Sequence, residues 1–305
     1  MDKVIRIGTR ESQLALWQAD TVKGLLHKNG YKAELVHIKS EGDTDLKTPL
    51  YEIGVQGIFT KALDIALLNG EIDIAVHSMK DVPTMLAKGI VQAAVLPRAS
   101  YKDLLVPKTG ATFSESQAPN VIATSSIRRK AQWLNRYPED RIENLRGNVN
   151  TRLRKVEESD WNGAIFAAAG LERIGLRPEN AVELDWMLPA PAQGAIMVVC
   201  RGDDKYSFDA TSMLNDPDTA LCAGIERDFL RALLGGCSTP ISALAKVERG
   251  SVVFEGNILS KDGRQKKEIT KTVPVAEAAG LGQTVATELL LDGGQEILDG
   301  IRNEP

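Results

Sequence analysis

The chain has 305 residues, 43% of them hydrophobic and 26% charged, with a formal net charge of −4. Length and mix predict a soluble globular protein of two or three domains with ample core, and no apolar run reaches the roughly 18 residues that a membrane span requires. The three cysteines, Cys200, Cys222 and Cys237, are too few and too unevenly spaced for a disulfide framework and point to a reducing cytoplasm; with only three histidines, no CxxC and no HExxH, no metal site is expected.

Val4-Ile5-Arg6-Ile7 reads as a strand, without the apolar stretch or cleavage site of a signal peptide. A helix from about Ser12 to His27 follows, with Leu14, Trp17, Leu25 and Leu26 available to the core and Gly30 as its stop. Ala33–Ile38 is the next strand. Residues 41–57 have no period, carry Gly42, Pro49, Gly54 and Gly57, and read as a lid. A helix over Phe59–Leu68 and short buried strands at Ile72–Val76 and Val91–Leu96 continue a βαβ pattern, which implies a mainly parallel sheet with helices on both faces.

After Pro97 the pattern restarts. Strands are predicted at Leu104–Val106, Val121–Ala123, Ile142–Leu145 and Ala164–Ala168, and helices at Ile127–Tyr137 and Thr151–Glu158. Two α/β units in tandem imply a ligand cleft between them. Ala195–Cys200, a strand after the Pro189 and Pro191 crossover, is placed to return the chain to the first unit. From Pro217 the grammar changes: a helix near Leu221–Leu234, strands at Ile241–Val247, Val252–Ile258 and Ile269–Val273 with an Asp262-Gly263 hairpin turn, and a helix around Ala276–Leu291. The expected domains are residues 1–97 plus 195–214, residues 98–194, and a smaller α+β domain over 215–305.

Charge singles out one segment. Residues 124–155 hold nine basic side chains against three acidic ones, a net +6 within a chain of −4. A cluster against the global sign suggests a local anionic ligand rather than attraction to DNA. Arginine dominates it, and its planar fork grips carboxylate or phosphate in a bidentate way. Thr124-Ser125-Ser126 lies between a strand and a helix, where free backbone N–H groups and hydroxyls seat anions. Arg128 and Arg129 follow in the first turn, opposing the helix dipole, a placement that makes sense if they hold an anion. Arg146 and Arg152 flank the Gly147 turn, and Arg10 with Ser12 ends the first strand, so three strand–helix junctions share one device.

Val76-His77-Ser78-Met79-Lys80-Asp81-Val82-Pro83 follows a buried strand, where α/β proteins place ligands. Asp81 either fixes the turn before Pro83 or pairs with a cation and exchanges protons. Cys237 follows two glycines, so its thiol is presented, as nucleophile, attachment point or accident. Cys200 and Cys222 lie in apolar contexts and read as core.

Five segments together resemble the porphobilinogen deaminase family: Gly8-Thr9-Arg10-Glu11-Ser12, Val76 to Pro83, Thr124 to Arg129, Leu145 to Arg152, and Gly236-Cys237-Ser238-Thr239-Pro240-Ile241. They occur in the family's order, from the first strand into the last domain. The resemblance implies two tandem periplasmic-binding-protein-like α/β domains with a smaller C-terminal α+β domain, and a monomeric cytoplasmic transferase with no membrane or nucleic-acid partner. It implies a dipyrromethane primer held through a thioether to the residue matching Cys237. Porphobilinogen would lose ammonia to give an electron-deficient azafulvene, the terminal pyrrole would attack it, and after four rounds water would release hydroxymethylbilane. Asp81 matches the catalytic aspartate. Ser78, Lys80, Asp81, Thr124, Ser125, Ser126, Arg128, Arg129 and Arg146 match cofactor ligands, and Arg10, Ser12, Phe59, Arg146 and Arg152 match substrate contacts. Gln56-Gly57-Ile58-Phe59 departs from the lysine that many relatives carry in the lid. A two-lobed anion-binding module also fits the tandem units but gives no reason for the last domain or Cys237. RNA binding fits neither the aromatic content, 5%, nor the acidic balance.

Overall fold

The computed structural model describes residues 3–39, 60–110, 119–233 and 239–303. In chain order the first elements are β1 (Ile5–Thr9), α1 (Gln13–Lys28), β2 (Ala33–His37), α2 (Lys61–Leu68), β3 (Ile74–Ser78) and β4 (Ile90–Val95). Next come β5 (Asp103–Pro107), β6 (Val121–Ala123), α3 (Ile127–Arg136), β7 (Arg141–Glu143), α4 (Val149–Glu158), β8 (Gly163–Ala167), α5 (Ala168–Glu172) and β9 (Val182–Glu183). The chain continues through β10 (Ile196–Arg201), α6 (Lys205–Ser212), α7 (Pro217–Ala232), β11 (Ile241–Glu248), β12 (Ser251–Leu259), β13 (Lys266–Pro274), α8 (Leu281–Leu289) and α9 (Gln295–Asn303).

Two compact units result. One comprises the described residues 3–39, 60–99 and 193–221, the other 100–110, 119–192, 222–233 and 239–303. The first unit holds one sheet of order β2-β1-β3-β10-β4. Ile5, Ile7, Ile74 and Val76, alternate residues of β1 and β3, bury against Ala19, Val22 and Leu26 of α1. The second unit holds a sheet of order β7-β6-β8-β5-β9 and an antiparallel sheet β11-β12-β13.

Both five-stranded sheets are mainly parallel, as expected: in each, four strands run one way and a single strand, β10 in the first and β5 in the second, runs against them. β1 runs parallel to β2 and β3, but β10 is antiparallel to both β3 and β4. Likewise β6 is parallel to β7 and β8, while β5 is antiparallel to β8 and β9. A short apolar run reads the same in either direction, so strand direction is not legible in it. β10 also fixes where β3 lies: its pairing of Met197 with His77 and Ile196 with Ser78 carries the strand end two residues past the predicted Val76, while the strand begins at Ile74 rather than Ile72. His77 and Ser78 are therefore strand residues, and only Met79–Asp81 form the following 3₁₀ turn. The helix predicted around Ala276–Leu291 is α8, and a further helix, α9, follows beyond its predicted end. α8 begins at Leu281, and the chain bends where Gly293 takes φ +96 before α9.

In the second unit, α3 is fastened along its length. Gln132 Nε2 donates to the Leu188 carbonyl (2.9 Å) and to Ser242 Oγ (3.0 Å). Asn135 Nδ2 donates to the carbonyl of Gly263, in the β12–β13 hairpin, at 2.7 Å. Gly263 has φ +76, and a Cβ there would stand 2.4 Å from the Ala131 carbonyl oxygen, so only glycine permits this approach. The helix that begins with Arg128 and Arg129 is thus rigidly placed.

Candidate active site

In the first unit, the carboxyl ends of the parallel strands β1 and β3 lie at one edge of the sheet. β1 delivers Arg10 and Ser12. The strand passes close to Ile72 at Gly8, where a Cβ would stand 2.2 Å from Ile72 Cδ1. Ser12 caps α1, its Oγ accepting from the Ala15 N–H at 3.3 Å. β3 delivers His77 and Ser78 and, through the 3₁₀ turn, Lys80 and Asp81. Buried Gln18 donates its Nε2 to Ser78 Oγ at 2.8 Å, and Lys80 Nζ donates to Gln193 Oε1 at 3.3 Å. A recess lined by Arg10, Ser12, Gln18, His77, Ser78 and Asp81 results. Asp81 is exposed, and its carboxylate makes no hydrogen bond or ion pair with the described residues. The buried His77 imidazole is held down to about 4 by burial, with the Arg10 charge adding to the effect.

In the second unit, the carboxyl ends of β6, β7 and β8 share an edge, because these strands are parallel. Each hydroxyl of Thr124-Ser125-Ser126 has a local partner there. Thr124 Oγ1 accepts from the Ser126 N–H at 3.2 Å, and Ser126 Oγ accepts from the Arg129 N–H at 3.4 Å as the cap of α3. Ser125 donates its hydroxyl to the Leu145 carbonyl, tying the β6 junction to the β7 junction. Thr124 and Ser126 accept in these contacts, so their O–H groups keep a proton to donate, whereas Ser125 has used its own.

Arg128 and Arg129 do not face the helix-start anion seat alone. Both pair with Asp103, a fully buried carboxylate at the start of β5. Arg128 Nη2 donates to Asp103 Oδ2 at 2.8 Å, and Arg129 Nη2 and Nε donate to Oδ1 at 2.7 and 3.2 Å. Arg128 Nη1 also donates to the Leu188 carbonyl (2.7 Å) and Arg129 Nη1 to the Ile165 carbonyl (2.9 Å). Every nitrogen of Arg129 is engaged with protein. Arg128 Nε is buried without a hydrogen-bond partner among the described residues. Burial lowers the Arg128 pKa, and Asp103 opposes that shift. One carboxylate beside two guanidiniums leaves a net positive charge in a desolvated place, which retains the power to hold an anion. Sequence reading missed Asp103; its signal is a lone acid opening the apolar run Leu104-Leu105-Val106.

The third junction is also assembled. Arg146 is buried, and Lys155 Nζ donates to its carbonyl at 3.1 Å. Arg152 Nε donates to the Gly147 carbonyl at 2.7 Å. Gly147 has φ +114, and a Cβ there would meet Thr151 Cγ2 at 2.7 Å. Asn148 caps α4, starting the helix two residues before the predicted Thr151. Arg173, at the end of α5 and unmarked in the sequence reading, is desolvated enough to bring its guanidinium down to about 10. Phe59, Gln56, Cys237 and the 41–57 segment lie outside the described residues. Among the described residues no helix is long and apolar enough to cross a membrane.

Residues 5–209 match the family model described as "Porphobilinogen deaminase, dipyromethane cofactor binding domain", and residues 220–291 match "Porphobilinogen deaminase, C-terminal domain". The chain belongs to the porphobilinogen deaminase family. It is 42% identical to the porphobilinogen deaminase of Syntrophotalea carbinolica, over 99% of this chain and 97% of that one. It is also 42% identical to that of Geobacter metallireducens, over 97% and 94%. Among solved structures, the methionine binding protein MetQ aligns with 69% of this chain and 89% of its own, at 13% identity and a TM-score of 0.45.

The residues present fit the cofactor that the family model names. Dipyrromethane in this family is a pair of linked pyrroles bearing carboxylate arms and ring N–H groups. In the second unit, Arg128 and Arg146 are buried guanidiniums suited to carboxylate arms and the Thr124 and Ser126 hydroxyls can donate; in the first unit, Asp81 has a carboxylate suited to ring N–H groups.

Proposed function

We propose that this chain condenses four porphobilinogen molecules head to tail, with loss of ammonia, and releases the linear product hydroxymethylbilane by hydrolysis. When bound, the dipyrromethane supplies the free pyrrole carbon at which the first unit joins. Cys237 is its attachment point, within a C-terminal domain over 215–305. The protein works as a cytoplasmic monomer.

The uncommitted Asp81 carboxylate beside Arg10 carries this reading. Porphobilinogen has an acetate arm, a propionate arm, a ring N–H and an aminomethyl group. When the aminomethyl nitrogen leaves, its bond pair goes with it as ammonia and positive charge spreads over the ring. Asp81 accepts the ring N–H at its carboxylate oxygens and stabilises that charge. After the new C–C bond forms, Asp81 assists departure of the ring proton. Arg10, Arg146 and Arg152 hold the carboxylate arms, with Ser12, Ser78 and Lys80 at the first-unit edge and Thr124, Ser125 and Ser126 at the second. Arg128 acts through the charge it keeps beside Asp103, and Arg129 chiefly secures that carboxylate. Without Asp81, the Arg10 charge at the recess would oppose a cationic ring.

Intact-mass measurement tests the reading. The purified chain is expected to weigh more than its polypeptide by two linked pyrroles, and Cys237→Ala to lose that adduct. Asp81→Asn is expected to keep the adduct and to lose about 10²-fold or more in turnover. A bare mass together with no consumption of porphobilinogen refutes the function. Near-normal turnover in Asp81→Asn removes that residue from the mechanism.

A further inference from the structure

His77 is left over by this account. It lies on β3, only 6% exposed, and its Nε2 has no hydrogen-bond partner among the described residues. Ile74 and Val76, its alternating neighbours on β3, belong to the packed core, so His77 belongs to the opposite face. A buried imidazole nitrogen left without a partner is destabilising, and an aliphatic side chain would occupy the position without that cost. His77 is among the residues that line the recess with Ser78 and Asp81, and the charged side chains lining it among the described residues are Arg10 and Asp81.

Burial and Arg10 keep this imidazole neutral at neutral pH. A neutral ring offers one N–H and one lone pair. It is a poor seat for carboxylate arms, which the arginines already serve, but a good acceptor for a nitrogen-bound proton. Porphobilinogen has two nitrogens. Asp81 is assigned to the ring N–H, which leaves the aminomethyl nitrogen, an ammonium at neutral pH. An imidazolium would repel that ammonium, whereas a neutral ring attracts it.

We propose that His77 contacts the substrate, its imidazole accepting a hydrogen bond from the aminomethyl nitrogen of porphobilinogen and holding the leaving group in the recess beside Asp81. The inference rests on the function proposed above. No proton is transferred to His77. The C–N bond breaks with its electron pair going to nitrogen, ammonia departs, and the positive charge passes to the ring, next to Asp81.

The test uses the holoenzyme and two pyrroles with the same acetate and propionate arms: porphobilinogen, and its analogue lacking the aminomethyl group, measured as a competitive inhibitor. His77→Leu is expected to lower kcat/KM for porphobilinogen by about tenfold or more and to leave the analogue's inhibition constant within about twofold. His77→Gln, which keeps an acceptor, is expected to recover most of the loss. Independently of any variant, ¹⁵N-histidine spectra of wild-type holoenzyme at low temperature are expected to show the His77 lone-pair nitrogen moving upfield with porphobilinogen but not with the analogue. Equal weakening of both ligands, unchanged kinetics in His77→Leu, or an unmoved resonance overturns the assignment. Failure of the wild type to consume porphobilinogen overturns the underlying function as well.

Discussion

Removing Asp103 is the sharpest perturbation the second unit offers. Its carboxylate is fully buried and accepts three hydrogen bonds from Arg128 and Arg129, themselves 5% and 6% exposed. In Asp103→Ala two adjacent guanidiniums remain in a desolvated site without the carboxylate that pairs with both. Breaking a buried pair by deleting one partner costs about 3–5 kcal/mol, most of it the penalty of the stranded charge. For a unit of this size that is a fall in Tm of about 6–20 °C. Asp103→Asn keeps an acceptor but no charge, and is expected to fall between the wild type and Asp103→Ala. The assay is thermal unfolding of apo and holo protein, followed by tryptophan fluorescence, with Trp133 on α3 as the near reporter. The apo protein should show the larger loss, because cofactor carboxylates supply part of the missing charge in the holoenzyme. A loss under about 1 kcal/mol in the apo form, with primer loading intact, would refute the claim that Asp103 holds the arginine pair.

Three further outcomes follow from the same geometry. Arg146→Leu and Arg152→Leu are each expected to raise the Michaelis constant or reduce primer occupancy about tenfold to a hundredfold, the range of one desolvated charge-assisted bond; titration with porphobilinogen and intact mass check this. In the first unit, burial disfavours the Asp73 carboxylate, but the Arg6 guanidinium and backbone N–H, with Lys3, outweigh it and hold the group at about 2. A pKa depressed from 3.8 gives stability that is present above pH 4 and lost as pH falls toward 2, about 2 kcal/mol in all. Acid unfolding of Asp73→Asn against wild type should show that gap closing over this window; a constant gap down to pH 2 would contradict the pairing.

Much of this was readable in the chain. The strand–turn–helix junctions at Arg10, Thr124 and Gly147 appear where hydroxyls, glycine and arginine punctuate apolar runs, because local capping and turn chemistry is encoded locally. The Asp262-Gly263 hairpin was legible for the same reason. What escaped was set by pairing between distant segments. Ser78 and His77 become strand residues only because β10, more than a hundred positions on, lies against them. Asp103 meets Arg128 and Arg129 across 25 and 26 positions because β5 pairs with β8 and so brings its first residue under α3. Neither fact has a periodic signature.

Local charge needs the same correction. The sequence counts +6 between residues 124 and 155, and that number overstates what a ligand meets. Asp103 enters from outside the segment and offsets one of the two charges at Arg128 and Arg129. Arg154 faces Glu158 at 3.6 Å, and Arg136 stacks over Trp186 at 5.1 Å. The side chains that carry anion affinity are therefore fewer than the count, and they are the desolvated ones. Burial strengthens a charge-assisted bond as much as it penalises an unmatched charge. A site with one carboxylate too few for its guanidiniums is stable only while that balance is kept, and an acidic ligand restores it. On this view affinity for carboxylate arms at the second-unit edge comes from the shortfall at Asp103 and from buried Arg146, not from the arginine count. Adding a second buried acid beside Arg128 should stabilise the apo protein and weaken cofactor loading together.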